Sequence, residues 1–268
     1  MLSVAEARAR ILGLVAPLGA ETVPIGEADG RVLAAPARAA RAQPPFAASA
    51  MDGYAVRAAE AAEGAILRVS GTAQAGRAAG MALPERAAIR IFTGAPVPEG
   101  ADAILIQENA AREGETLRVL EAPGPGAWVR PAGGDFAEGF ALEPPRRLGP
   151  RDVALLAAMN VAKVTVSRRP LVALIPTGDE LVMPGETPGP DQIVTSNNFG
   201  LAAMLRAMGA RPLLCPIAHD TRESLSTTLE AARKADLIVT LGGASVGDHD
   251  LVAEVLGEEG LELAFYKV

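Results

Sequence analysis

The stretch GGASVGDHD, residues 242–250, combines groups that bind anions with groups that repel them. It follows the apolar run DLIVTL, and its glycines allow the backbone to approach a ligand closely. A helix that begins near Asp250 adds backbone N–H groups, which favour a negative charge. Carboxylates at Asp248 and Asp250 suit a phosphate only if a divalent cation lies between them, and Mg²⁺ is typically held by one or two carboxylates together with substrate phosphates.

This loop matches neither of the two common phosphate-binding fingerprints. It has no P-loop lysine and no G-x-G-x-x-G spacing. The alternative is a solvated turn between a strand and a helix, with Asp250 as the helix N-cap. From these residues alone, a Mg²⁺-phosphate site and an ordinary turn both stay open.

The chain after Pro170 alternates short apolar runs with helical patterns. The strand-like runs are LVALIP, RPLLCPIA, DLIVTL and LELAFYKV. The helical stretch TRESLSTTLEAARKA has Asp220 or Thr221 as its cap. Alternation of this length predicts a parallel sheet covered by helices on both faces, an α/β domain of the doubly wound type.

Ligands of an open parallel sheet bind beyond the carboxyl ends of its strands. Here the loop PTGDE follows the first strand, His219 and Asp220 follow the second, and residues 242–250 follow the third. In the strand order 2-1-3, which is usual for such folds, the first and third loops flank one crevice. We therefore expect the first loop, with Thr177, Asp179 and Glu180, to face Gly242, Gly243, Ser245, Asp248 and Asp250.

The N-terminal part of the chain has a different pattern of apolar residues. Ser3 and Glu6 form a capping-box pattern, and apolar residues recur at helical spacing from Val4 to Val15. From Pro44 to about Pro145, short apolar stretches alternate with Gly and Pro clusters, which predicts a mainly β module.

Composition and charge exclude several functions. The 268 residues carry a formal net charge of -7. The chain therefore has no overall positive charge to attract phosphate backbones, and we expect no nucleic-acid partner. Cys215 is the only cysteine, which excludes a disulfide framework and a cysteine metal cluster. Glu6, Arg8 and Arg10 interrupt the N-terminal apolar residues, so we expect no signal peptide, no membrane span and a cytoplasmic protein.

Histidine and tryptophan are scarce in this chain. His219 and His249 are the only histidines, too few for a histidine metal cluster, and both are expected on the surface. Trp128 is the only tryptophan. One interpretation is that it lines a cleft together with VRPAGGD; the other, more typical of a tryptophan beside Gly and Pro, is a packing anchor under a loop.

Four blocks in fixed order carry a family resemblance: ASAMDGYAV (48–56), RIFTGAPVPEGADAILIQE (90–108), PTGDEL (176–181) and GGASVGDHD (242–250). Together they resemble the molybdopterin molybdotransferase family, which includes the E domain of gephyrin. The resemblance implies a reaction in which adenylated molybdopterin and molybdate give molybdenum cofactor and AMP. It also implies Mg²⁺ for the pyrophosphate of the substrate, while the dithiolene of the substrate supplies the sulfurs.

The resemblance assigns roles to particular positions. The implied catalytic residues are Asp52, Thr93, Asp135, Glu180 and Asp250. The implied ligand-binding residues are Thr177, Gly178, Asp179, Ser196, Asn197, Gly242, Gly243, Ser245, Gly247 and Lys267. The implied metal ligands are Glu180, Asp248 and Asp250. At Asp135 the usual G-E-D pattern reads Gly133-Gly134-Asp135, so the carboxylate is present and one acidic neighbour is not.

The resemblance also implies a domain plan. Residues 1–44 and 146–169 would form a linker and dimerisation domain, residues 45–145 an inserted mainly β domain, and residues 170–268 a molybdopterin-binding α/β domain. The implied assembly is an elongated homodimer, in which the sheet domain of one subunit faces the N-terminal domains of the other. Contact with the molybdopterin adenylyltransferase is a further implied partnership.

The end of the sequence departs from this family. FYKV resembles the opening of a K-V-x-x-K-P-G-K-P stretch, with Lys267 as its first lysine, so we expect an incomplete sheet domain without the family's C-terminal β-barrel. An alternative function is therefore a non-catalytic molybdopterin-binding or scaffold module that lacks the later lysines. A single-domain adenylyltransferase is disfavoured, because such a protein has no need of SAMDGYAV.

Overall fold

The structure is a computed structural model that describes residues 2–242, 251–258, 262, 264 and 265. Within the described residues the helices are α1 (Val4–Leu14), α2 (Pro150–Ala158), α3 (Asn197–Met208), α4 (Arg222–Ala232) and α5 (Leu251–Glu258). The strands are β1 (Ala20–Pro24), β2 (Val32–Leu33), β3 (Ala37–Arg38), β4 (Ala48–Ser49), β5 (Gly53–Val56), β6 (Ile66–Ala73), β7 (Ala87–Ile91), β8 (Ala103–Ile106), β9 (Ala110–Glu113), β10 (Thr116–Val119), β11 (Val129–Arg130), β12 (Ala141–Leu142), β13 (Arg146–Arg147), β14 (Lys163–Ser167), β15 (Leu171–Pro176), β16 (Leu181–Val182), β17 (Ile193–Val194), β18 (Arg211–Leu214) and β19 (Leu237–Leu241).

Helix α1 begins where the capping box predicts. The Ser3 hydroxyl accepts a hydrogen bond from the Glu6 backbone N–H, and the Glu6 carboxylate accepts one from the Ser3 N–H. Only Ala7 of its apolar stripe is buried, however, whereas Val4 and Ile11 are 76% and 51% exposed. The helix therefore forms by local capping, and most of its apolar side chains face away from the core of this chain.

A four-stranded sheet of order β1-β14-β2-β13 joins the two ends of the N-terminal half. β1 pairs with β14 in antiparallel register, from Ala20 opposite Ser167 to Pro24 opposite Lys163. Helix α2 packs on this sheet and buries Leu156 in a core that includes Leu33 and Val166. The chain thus leaves this sheet after β2 and returns to it at β13 and β14.

The intervening chain forms the expected mainly β module. Its main sheet has the order β8-β5-β7-β6-β10-β9, and neighbouring strands are antiparallel except β6 and β7, which are parallel. Alternating side chains fill one core around Leu105 and Leu117 and another around Ile89 and Ile104. Two smaller ladders, β4 with β11 and β3 with β12, complete the module.

The chain after Pro170 forms the expected parallel sheet, in the order β18-β15-β19. This is the 2-1-3 order that places the loops after the first and third strands side by side. Helix α3 covers one face through Ala202, and α4 and α5 cover the other through Leu225 and Val252. The expectation of an α/β domain with helices on both faces is confirmed.

Other sequence expectations in this half have clear outcomes. Thr221, not Asp220, is the N-cap of α4, since its hydroxyl accepts a hydrogen bond from the Ser224 N–H. Cys215 is buried, and burial raises the pKa of its thiol. The strand predicted over residues 261–268 lies largely outside the described residues. Among the described helices, none has both the length and the apolar content needed to cross a membrane.

An ion pair clamps the connection between the N-terminal sheet and the parallel sheet. Asp236, just before β19, accepts hydrogen bonds from Arg168 Nη1 and Nη2 at 2.8 and 2.6 Å and from the Leu171 N–H at 2.7 Å. The Arg168 guanidinium, together with the Leu171 N–H, lowers the pKa of Asp236 to about 2. The connection from β14 to β15 is therefore tied to the start of β19.

This clamp should make unfolding sensitive to acid. Because the folded-state pKa of Asp236 lies below its unfolded value, its ionised form stabilises the folded chain above about pH 4, and that stabilisation is lost as the pH falls towards about 2. We expect the urea midpoint of Asp236→Asn to change less than that of the wild type over this range. Asp191→Asn, at an exposed carboxylate without a described ion pair, should keep the wild-type slope. Equal slopes in all three proteins would contradict the prediction.

Candidate functional site

Asp52 lies in the turn between β4 and β5, and Thr93 follows β7. The pairing of β5 with β7, Gly53 opposite Ile91, brings these two residues together. Asp52 Oδ1 accepts hydrogen bonds from the Thr93 N–H and the Thr93 hydroxyl, both at 2.8 Å. These hydrogen bonds lower the pKa of Asp52, with a smaller contribution from the positive charge of Arg90. Asp52 is therefore ionised near neutral pH, and no described residue donates to its second oxygen.

The backbone beside Asp52 is held by two residues that sequence reasoning missed. Arg90 Nη1 donates to the Gly53 carbonyl at 3.1 Å, and Nη2 donates to Gln107 Oε1 at 2.9 Å. The Gln107 N–H in turn donates to the Asp52 carbonyl at 3.1 Å. The Arg90 guanidinium also lies over the rings of Tyr54 and Phe92, 5.1 and 4.7 Å from their centroids. Both residues belong to the RIFTGAPVPEGADAILIQE block, but nothing in that block alone distinguishes them from core or surface positions.

Asp135 forms an ion pair within its own loop. Both its carboxylate oxygens accept hydrogen bonds from Arg130 Nη2, at 3.1 and 3.0 Å. Each side chain is half exposed. The pairing of β11 with β4, Arg130 opposite Ala48, connects this loop to the strand that leads to Asp52. The ladder therefore links the two predicted carboxylate positions of the β module, although no described hydrogen bond joins Asp52 to Asp135.

The edge of the parallel sheet brings the first and third loops into direct contact. Thr177 is buried after β15, and its N–H donates to the Leu241 carbonyl at 3.0 Å. Gly242 has a φ of 114°, and a Cβ at this position would overlap the Thr177 carbonyl oxygen. The buried Thr177 hydroxyl has no hydrogen-bond partner among the described residues. The expected meeting of Thr177 with Gly242 is confirmed.

The other residues of the first loop point in different directions. A Cβ at Gly178 would overlap the carboxylate of Glu180, so this carboxylate lies directly over the Gly178 backbone. Asp179 contacts the second loop. Its Oδ1 lies 3.1 Å from His219 Nδ1 and accepts the Asp220 N–H at 3.1 Å, because the second loop lies on the other side of β15. His219 is on the surface as predicted.

Ser196 and Asn197 lie at the start of α3 and are exposed. The short ladder of β16 and β17 brings them to the same edge, since the Ile193 N–H donates to the Glu180 carbonyl at 2.7 Å. The neighbouring Asn198, which sequence reasoning missed, is fully buried. Its Oδ1 accepts from the Phe199 N–H and the Thr195 hydroxyl, and its amide nitrogen has no partner among the described residues.

Several predicted positions lie outside the described residues: Gly243, Ser245, Gly247, Asp248, Asp250 and Lys267. Of the predicted metal ligands, only Glu180 is described. Within the described part of the chain, no three His, Cys, Asp or Glu residues lie close enough together to hold a metal ion. No described hydrogen bond connects the Asp52 region to the sheet edge.

Comparison with known proteins covers nearly the whole chain. Residues 2–160 match the family described as the MoeA N-terminal region (domain I and II), and residues 173–267 match the family described as a probable molybdopterin binding domain.

Individual relatives agree with these matches. A molybdopterin molybdenumtransferase of Nostoc sp. is 38% identical over 91% of this chain and 57% of its own length. A protein of the same name from Haemophilus influenzae is 34% identical over 100% of this chain and 67% of its own length. The crystal structure of a molybdopterin biosynthesis MoeA protein from Pyrococcus horikoshii has a TM-score of 0.85 at 33% identity, covering 96% of this chain and 66% of that one. The chain thus spans 57–67% of the length of these curated relatives.

The contact between Thr93 and Asp52 can be tested directly. In Thr93→Val the side-chain donor is lost and the backbone donor remains, so the pKa of Asp52 should rise. In Thr93→Ser the hydroxyl is kept, and the pKa should stay at the wild-type value. Carboxyl ¹³C chemical shifts of Asp52, followed across a pH titration by NMR, measure both. An unchanged titration in Thr93→Val would show that the hydroxyl contributes nothing to the charge state of Asp52.

Proposed function

We propose that this chain acts in molybdenum cofactor biosynthesis. The premise is that the chain belongs to the MoeA family, whose curated relatives are named molybdopterin molybdenumtransferases. The proposed reaction inserts molybdate into adenylated molybdopterin and releases AMP. The observation that carries the proposal is the ionised Asp52 carboxylate held by two hydrogen bonds from Thr93. The separate sheet edge, where Thr177 contacts Gly242, supports it. Localisation in the cytoplasm and contact with the adenylyltransferase that supplies the adenylated substrate belong to the same proposal.

Asp52 suits a role at the reacting group. Its Oδ1 is occupied by two donors of Thr93, which leaves Oδ2 to accept a proton or to contact a cation. Because Arg90 and Gln107 hold the adjacent backbone, the carboxylate keeps one orientation without a bound ligand. Asp135, held by Arg130, would act beside it on the same module.

The sheet edge suits a phosphate and its counter-ion. The Glu180 carboxylate accepts no hydrogen bond from a described residue, so both oxygens are available to a cation. We propose that Glu180, with Asp248 and Asp250 of the third loop, holds Mg²⁺, which would offset the charge of the substrate pyrophosphate. Thr177, Gly178, Asp179, Ser196, Asn197 and the third loop, from Gly242 through Gly243, Ser245 and Gly247, would line the ligand, and Lys267 would add a positive charge.

A homodimer would bring the two halves of the site together. Within one chain the β module and the sheet edge share no described hydrogen bond, so one subunit's module is proposed to face the other's sheet edge. An exposed apolar surface supports the assembly. Leu14, Val15, Met208 and Leu237 are 52–67% exposed, and all four line one cleft of about 760 Å³ between α1, α3 and β19. Apolar surface of this kind marks protein interfaces.

Loss of the Asp52 charge should slow turnover strongly without unfolding the protein. With adenylated molybdopterin, molybdate and Mg²⁺, we expect Asp52→Asn to release AMP about 10²-fold more slowly than the wild type, because a positioned acid-base or charged group typically contributes that much. Glu113→Gln, at an exposed carboxylate on β9, should leave the rate unchanged. The melting temperatures of all three proteins should agree closely. Wild-type turnover by Asp52→Asn would refute the role, and no turnover by the wild type together with ligand binding would favour the non-catalytic binding module.

The metal proposal makes a separate prediction for binding. Calorimetric titration with AMP should give weaker binding after Mg²⁺ is removed with a chelator, because the carboxylates then repel the phosphate. In Glu180→Gln the dependence on Mg²⁺ should fall markedly, whereas the remote Glu63→Gln should keep it. Equal affinity with and without Mg²⁺ in the wild type would contradict a bridging metal.

A further inference from the structure

Trp128, the only tryptophan of the chain, is exposed at a turn with left-handed backbone. Its side chain is 51% exposed, and its φ is 56°. The expectation that it anchors a loop by packing beneath it is wrong. A bulky residue with positive φ is uncommon, and such positions cluster at functional sites.

The turn that carries Trp128 is firmly held by its neighbours. Its carbonyl accepts the Ala50 N–H at 2.8 Å, and the Val129 N–H donates to the Gly126 carbonyl at 3.2 Å. The flanking Ala127 and Val129 pack against the two cores of the β module. The neighbours of Trp128 thus perform the packing, and the fold does not need the exposed indole.

The position of the indole relates it to the proposed site. Ala50, the hydrogen-bond partner of the Trp128 carbonyl, is two residues before Asp52. Arg130, two residues after Trp128, holds Asp135. The exposed ring therefore lies on the segment that joins the two carboxylate positions of the β module.

We propose that the Trp128 indole is a stacking platform for a planar heterocycle of the ligand that Asp52 and Thr93 handle. This inference rests on the proposed function, because adenylated molybdopterin carries two such rings, pterin and adenine. A flat aromatic face binds either ring by offset stacking, and the neighbouring charged groups bind the polar parts of the same ligand. A rigid turn keeps the ring in place, so little side-chain freedom is lost on binding.

The single tryptophan provides its own probe. In a ¹H-¹⁵N correlation spectrum of the chain, the indole N–H gives one resonance. We expect this resonance to shift upfield during titration with AMP or with neopterin, and the ring that causes the larger shift identifies which heterocycle stacks. Ribose 5-phosphate, which has the phosphate without the ring, should leave the resonance in place.

Substitution separates stacking from mere proximity. Trp128→Ala should weaken binding of the responding ligand about 5- to 100-fold, the range typical of base stacking on an aromatic side chain. Trp128→Phe keeps an aromatic face and should retain most of the affinity. Backbone amide spectra should show the same fold in both variants. Equal affinity of wild type and Trp128→Ala for both ligands would overturn the proposal.

Failure of the stacking proposal can be distinguished from failure of the proposed function. In the AMP-release assay, Trp128→Ala should raise KM and change kcat little. Turnover that needs Asp52 but is indifferent to Trp128 would overturn stacking and leave the function standing. A ring-dependent indole shift in a chain without turnover would support stacking and overturn the proposed function. An indole resonance that responds to protein concentration and to neither ring would show that Trp128 contacts a second copy of the chain, which also overturns stacking.

Discussion

The pairing of β1 with β14 is the constraint on which the positions of the other elements depend. These strands are neighbours in the sheet although the entire β module lies between them in the sequence. Closing so long a connection costs chain entropy, and the cost is offset by the apolar core that β14 completes around Leu33, Leu156 and Val166. From β14 the chain continues almost directly into β15, and Asp236 clamps that short connection to β19. The orientation of the parallel sheet therefore follows from a strand pair that lies outside it.

The proposed site has one part in the β module and one part at the sheet edge, and in each part the described residues are held by their own neighbours. Asp52 is immobilised by contacts inside the β module, chiefly Thr93 on its carboxylate and Gln107 on its carbonyl. At the sheet edge, Thr177 is in close contact with Gly242, which only a residue without a side chain permits. A ligand that spans both parts would therefore meet an Asp52 carboxylate and a Thr177–Gly242 contact that are already in place.

Local signals in the sequence were sufficient for the framework. The capping box of Ser3 and Glu6 follows from capping chemistry. The mainly β module after Pro44 follows from the periodicity of its apolar residues, and the 2-1-3 parallel sheet follows from the usual strand order of such sheets. The missed features are choices between near-equivalent arrangements. The contact of Asp179 with His219, and the burial of Asn198 rather than Asn197, are set by the positions of a loop and of the first turn of a helix. The exposure of Trp128 depends on a positive φ that its residue type disfavours.

The distribution of positive charge distinguishes the two halves chemically. An acidic chain that handles a phosphate must offset the repulsion wherever carboxylates meet the ligand. In the β module this is done by the protein itself, because Arg90 lies beside Asp52 and Arg130 pairs with Asp135. At the sheet edge, Glu180 has no described cationic partner, and Asp179 has only a histidine. The proposed divalent ion would therefore offset the most charge at Glu180. At Asp52 the nearby positive charge of Arg90 and the two Thr93 donors on Oδ1 already offset part of the carboxylate charge, so Mg²⁺ would have its strongest effect on phosphate binding at the sheet edge.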